Sequence, residues 1–119
     1  MTSLMAAGRA FYAEKGPGRL STKRTQWEAR CGYFDEELHE FLNAHPGTPH
    51  RAKEAADLLF TLAGLMDEEG IDLDVAFALV CASNMTKERT VNGKVRKGPD
   101  YVEPDMRGSL LATRAVKLR

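Results

Sequence analysis

Glu54-Ala55-Ala56-Asp57-Leu58-Leu59-Phe60-Thr61-Leu62-Ala63-Gly64-Leu65-Met66 decides how this chain is read, because a carboxylate, Asp57, interrupts a run that otherwise asks to be buried. A carboxylate forced into apolar surroundings is costly unless something compensates it. Glu54 stands three residues earlier, on the same face of a helix. Upstream lies a second acidic helical segment, Glu36-Glu37-Leu38-His39-Glu40. Two helices that aim carboxylates at one place need a cation between them, so the two segments together read as a metal site.

Working outward, helical periodicity dominates and sustained alternation is missing, which predicts an all-α protein. A first helix is expected over residues 2–14, ended by Lys15-Gly16-Pro17-Gly18. Thr25-Gln26-Trp27-Glu28 reads as a capping box that opens a second helix. Its apolar positions Trp27, Cys31, Phe34, Leu38, Phe41 and Leu42 form one stripe. His45-Pro46-Gly47-Thr48-Pro49 stops it, and a third helix is expected from about His50 to Glu69, ending at Gly70. Asp72 can cap a fourth, with Leu73, Ala76, Phe77, Val80 and Cys81 as its buried stripe. Thr90 to Gly108 reads as loop, broken by Asn92-Gly93, Gly98-Pro99 and Glu103-Pro104, and Ser109 opens a last short helix through Lys117. The short link between the second and third helices makes them antiparallel neighbours in a bundle of four to five helices.

The chain has 119 residues, enough for one domain with a real core, and 43% hydrophobic content places it among folded globular proteins. We divide it into an N-terminal helix and linker (1–24), a helical core carrying the acids (25–88), a basic loop (89–108) and a C-terminal helix (109–119). No apolar stretch suits a membrane span and no signal pattern opens the sequence, so a cytoplasmic protein is expected. Cys31 and Cys81 fall on apolar stripes without zinc spacing and are expected to be buried free thiols. Net charge is zero but unevenly spread. Between residues 35 and 74, Arg51 and Lys53 are the only bases against many acids, whereas both ends are basic. That pattern suits cations meeting an anionic substrate, and equally a solvated acidic face.

Each candidate group has a plainer reading beside the functional one. Glu-Glu-x-x-Glu is common on solvated helices, and Lys53 to Asp57 fits an ordinary i,i+4 ion pair. If the site reading holds, hard oxygen donors without cysteine or paired histidine favour magnesium or manganese over zinc. Lys94, Arg96 and Lys97 form a solvated basic loop, a nucleic-acid patch short of aromatics, or a phosphate clamp. Asn84 suits either a helix–helix hydrogen bond or a ligand contact one turn before Lys87. His39, His45 and His50 read as surface or turn residues, and nothing supports a Ser or Cys nucleophile.

Glu36-Glu37-x-x-Glu40, a spacer, then Glu54-x-x-Asp57 resembles the metal motif of the all-α nucleotide pyrophosphohydrolases. That superfamily includes MazG-like enzymes, dimeric dUTPases, dCTP pyrophosphatases and phosphoribosyl-ATP pyrophosphohydrolases. Ser83-Asn84-Met85-Thr86-Lys87 and Gly93-Lys94-Val95-Arg96-Lys97-Gly98-Pro99-Asp100-Tyr101 resemble small single-domain members of the MazG and phosphoribosyl-ATP branches, phage-type ones included.

The resemblance implies that Glu37, Glu40, Glu54 and Asp57 hold two or more magnesium ions, with manganese able to substitute. It gives Glu36 and Glu37 catalytic roles, Glu36 as a second-ion ligand or the group that orients the attacking water. Asn84 and Lys87 would contact sugar and phosphates, and Lys94, Lys97 and Tyr101 would close over the phosphate tail. It further implies a homodimer or homotetramer, acting on a nucleoside triphosphate in the cytoplasm, the host's if the source is viral. The expected reaction is (d)NTP to (d)NMP and pyrophosphate, with dGTP or GTP first. Phosphoribosyl-ATP hydrolysis is the alternative chemistry, and a non-catalytic helical interaction module the alternative from another class. Neither membrane nor nucleic acid is expected as a partner.

Overall fold

A computed structural model describes residues 3–15 and 23–111, with the side chains of 23–26 outside the description. Its described part holds four α-helices, α1 (Leu4–Lys15), α2 (Lys23–Asn43), α3 (Pro49–Glu69) and α4 (Leu73–Asn84). Two two-residue strands, β1 (Glu88–Arg89) and β2 (Val95–Arg96), pair antiparallel, and a 3-10 turn spans Met106–Ser109. No helix among the described residues is long and apolar enough to cross a membrane. The architecture is the expected all-α bundle.

The long helices α2 and α3 lie antiparallel and form the body of the molecule. Trp27 and Arg30 near the start of α2 reach Glu69, Gly64 and Glu68 near the end of α3. At the opposite end Arg51 closes the turn, donating to Ala44 O at 2.8 Å while its guanidinium lies 4.3 Å from the Phe41 ring centroid. Local chemistry sets both ends of α3. Thr48 is extended and its hydroxyl accepts from Arg51 N–H, Pro49 occupies the first turn where no N–H is needed, and Gly70 ends the helix at φ 74°. Thr48-Pro49 is therefore a start signal as much as a stop.

Helix α1 lies across α3. Gly64 permits the approach, since a Cβ there would come within 2.9 Å of the Tyr12 ring. Arg30 stacks on that ring, 4.2 Å from its centroid, and Phe11, Tyr12 and Phe60 form an aromatic cluster. The start of α1 is capped from a distance. Both Asp74 carboxylate oxygens accept backbone N–H groups, from Leu4 and Met5, at 3.0 Å each. These bonds, Met5 foremost, hold the Asp74 carboxyl below its ordinary range.

Several expectations are corrected. Helix α2 already runs from Lys23, so Thr25 lies inside it instead of capping it; Lys23 and Arg24 are good helix formers and do not stop the helix. The stripe on α4 is not buried: Phe77 is 65% exposed, and Val80 and Cys81 are exposed too. Cys81 is thus no buried thiol, whereas half-buried Cys31 has its thiol pushed up chiefly by burial. The 90–108 stretch is not all loop. Asn92-Gly93 turns a hairpin, with Gly93 at φ 82° and Thr90 N–H donating to Lys94 O at 2.7 Å. Ser109 ends a 3-10 turn instead of opening a helix, and Leu110 pairs with Ile71. The rest of the expected last helix, from 112, lies outside the described residues.

Among the described residues the core is thin. Met5, Ala44, Ala63 and Leu65 are the buried apolar residues among those described, and no large side chain is fully enclosed.

Candidate metal centre

The turn between α2 and α3 brings the two acidic segments side by side. Carboxylate oxygens of Glu37 on α2 and of Glu54 and Asp57 on α3 all lie within 4.8 Å of one another. Glu54 is the buried member at 4% exposure, and the Asp57 side chain is 40% exposed. This inverts the expectation that Asp57 is the sequestered carboxylate. Three residues advance a helix by most of a turn but not a full one, and the α2 contact passes through Glu54.

Two oxygens in this cluster have no satisfactory surroundings. Glu37 Oε2 and Glu54 Oε2 are buried and accept no hydrogen bond when all the carboxylates are ionised. Buried acceptors are nearly always satisfied, and like charges this close cannot all persist without a proton or a cation. Glu40, exposed beside them, takes part of the strain: the Glu37 charge above all, then contact with Glu54, raises its carboxyl above the usual range. A proton held on Glu40 is one form of relief. An ion is the other, and an all-oxygen donor set with two buried unpartnered atoms fits a hard divalent cation.

Lys53 supplies the cationic contact. Its Nζ donates to Asp57 Oδ2 at 2.7 Å and lies 3.6 Å from Glu54 Oε1, and Asp57 first, then Glu54, hold it protonated. The i,i+4 pair read from the sequence is therefore present alongside the cluster. His50 Nδ1 is 3.7 Å from Glu54 Oε1. His50 is a surface residue, as expected, and its i,i+4 spacing to Glu54 is the sequence signal for this contact. Glu36 is exposed on α2 outside the three-carboxylate group.

The remaining candidates gather around the end of α4. Ser83 Oγ donates to Val102 O at 2.6 Å and lies 3.2 Å from Tyr101 OH, while Thr86 Oγ1 accepts from Val102 N–H at 2.8 Å. These bonds fix half-buried Tyr101 against the helix. Lys97 lies over it, Nζ 5.0 Å from the ring centroid and 3.7 Å from Glu103. Asn84 and Lys94 are exposed and Lys87 is half-buried. Ser83 and Thr86 as clamps were missed, and no local pattern announces a bond made across fifteen or more residues. Among the described residues neither strand of the hairpin contacts α2 or α3.

An all-α bundle whose paired helices converge carboxylates at one end offers a place where a metal ion could be held. The chain belongs to the phosphoribosyl-ATP pyrophosphohydrolase family, which matches residues 13–84, more than half of its length, within the MazG-like all-α superfamily. It is accordingly a hydrolase acting on phosphoric anhydride bonds. The matched segment takes in α2, α3 and α4, and so the whole acidic cluster, but stops before the hairpin. No curated protein matches the chain.

Proposed function

We propose that this chain is a divalent-metal-dependent nucleoside triphosphate pyrophosphohydrolase that converts a (d)NTP to the (d)NMP and pyrophosphate, with dGTP and GTP preferred. The observation that carries this reading is the pair of buried, unpartnered oxygens, Glu37 Oε2 and Glu54 Oε2, in one cluster with Asp57. Glu37, Glu54 and Asp57 would hold magnesium, or manganese in its place, and Glu40 beside them would join as a further ligand. When bound, two or more such ions supply charge neutralisation and an acidified water.

The residues of the chain do the rest. Glu36 and Glu37 orient the water and take its proton as its oxygen bonds to the α-phosphorus. The bond from that phosphorus to the α–β bridging oxygen breaks, and pyrophosphate leaves with the electron pair. Lys87, Lys94 and Lys97 neutralise the phosphate tail, where negative charge grows in the transition state. Asn84 contacts the sugar, Tyr101 lies against the tail, and no covalent enzyme intermediate forms.

A homodimer or homotetramer is supported by the thin core, the exposed Phe77 and Val80 on α4, and the lack of contact, among the described residues, between the hairpin strands and α2 or α3. In such an assembly the hairpin of one chain completes the carboxylate site of another. We read residues 1–119 as one catalytic domain working in the cytoplasm. The family match favours a second substrate, phosphoribosyl-ATP, through the same chemistry. Membership in a hydrolase family displaces the interaction-module alternative. The test is product analysis with dGTP, GTP, other triphosphates and phosphoribosyl-ATP in millimolar magnesium. Equal amounts of monophosphate and pyrophosphate, abolished by chelator, are expected. Orthophosphate with a diphosphate product, or no release from any substrate, overturns the reading.

A further inference from the structure

We propose that Lys53 is a built-in competitor of the divalent cation, occupying Asp57 and Glu54 through its ammonium and so setting how much free metal the site needs. The inference rests on the metal reading above and adds a residue to it. Lys53 Nζ lies 2.7 Å from Asp57 Oδ2 and 3.6 Å from Glu54 Oε1, touching two of the three clustered carboxylates. A hard cation bonds carboxylate oxygen at about 2.0–2.6 Å. An ion on Asp57 and Glu54 would therefore lie within a few ångströms of the ammonium, and the two like charges exclude each other. Lys53 is free to yield, because its side chain is 67% exposed and sits on a flexible four-carbon stem.

His50 Nδ1 also lies 3.7 Å from Glu54 Oε1, but among the described residues Lys53 is the lysine or arginine that reaches the cluster. Arg51, the one other Lys or Arg between residues 35 and 74, is engaged on Ala44 O and the Phe41 ring. Lys53 is also an incomplete substitute. Among the described residues it forms no ion pair with Glu37, whose Oε2 stays buried and unpartnered. The ammonium thus offsets the exposed side of the cluster and leaves its interior for a dication. Metal entry is an exchange of one cation for another, in which Lys53 swings to solvent while Glu37 gains the partner it lacks.

The experiment is calorimetric titration of the full chain with manganese, for wild type, Lys53→Gln and Lys53→Arg, together with melting curves in chelator. A surface i,i+4 pair contributes little to stability, so both variants fold. Lys53→Gln should bind manganese about tenfold more tightly, the effect of removing one screened unit charge beside a dication. Lys53→Arg should bind as wild type does. The advantage of Lys53→Gln should shrink as ionic strength rises, and in chelator it should melt below wild type. Manganese affinity in Lys53→Gln equal to or weaker than wild type overturns the competitor role while leaving the metal centre standing. Failure of wild type and both variants to bind manganese overturns the metal centre and this inference with it.

Discussion

Replacing Glu54 by Gln removes one charge from the centre of the carboxylate cluster while keeping its shape. Two unit charges 4.8 Å apart, the outer limit of this cluster, repel by about 0.9 kcal/mol in water and about 3.5 kcal/mol at an effective dielectric of 20. Glu54 is 4% exposed and meets two such neighbours, Glu37 and Asp57, offset in part by Lys53 at 3.6 Å. A net relief of about 1–3 kcal/mol follows, and the new amide can donate to a carboxylate that has no partner. In a chain of this length that raises the melting temperature in chelator by roughly 4–12 °C. Metal acts in the opposite sense. At a concentration one hundred times its Kd, a bound ion stabilises wild type by about 2.7 kcal/mol, and Glu54→Gln should lose most of that gain. Scanning calorimetry in chelator and in millimolar magnesium reads both effects. A variant that melts lower than wild type in chelator and gains as much from magnesium would refute the reasoning.

Other perturbations separate the parts of the account. Asp74→Ala removes the long-range cap of α1 and should cost about 1–2 kcal/mol at neutral pH by urea denaturation. Because the folded carboxyl titrates below its unfolded value, near pH 3.9, the contribution is complete above about pH 5 and is lost as pH falls through the depressed value, so wild type and variant should converge in acid. Lys97→Ala should lower turnover by about tenfold or more while magnesium still raises the melting temperature as in wild type; normal turnover would confine Lys97 to its Tyr101 and Glu103 contacts. Phe77→Asp should shift sedimentation from oligomer toward monomer, and a monomeric wild type at micromolar concentration would contradict the role given to the α4 face.

How much of this was legible beforehand depends on the range of the interaction. The α2–α3 pair was, because its apolar stripes, its short turn and Gly70 are local signals. That acids of α2 and α3 would face one another followed from helical spacing together with the short turn, while Glu37 in particular was implied by the family resemblance; the structure brings Glu37, Glu54 and Asp57 together. Which acid is buried did not follow, since an apolar run marks Asp57 as unusual but only the packing of α2 selects Glu54. The α4 stripe shows the same limit: periodicity identifies an apolar face on Phe77 and Val80 without saying whether the same chain covers it. Strands of two residues are too short to alternate, so Asn92-Gly93 read as a breaker when it is a hairpin turn. The Asp74 cap and the Ser83–Val102 bond join distant residues and leave no trace in local pattern.

The claim on which everything else depends is that Glu37, Glu54 and Asp57 hold a divalent cation. Crystals grown with manganese and measured near its absorption edge test it directly. An anomalous peak is expected among these three carboxylates at metal-bonding distance, about 2.0–2.3 Å, with the Lys53 ammonium displaced from Asp57. A map with no peak there, and Lys53 still seated on Asp57 at saturating manganese, would contradict it.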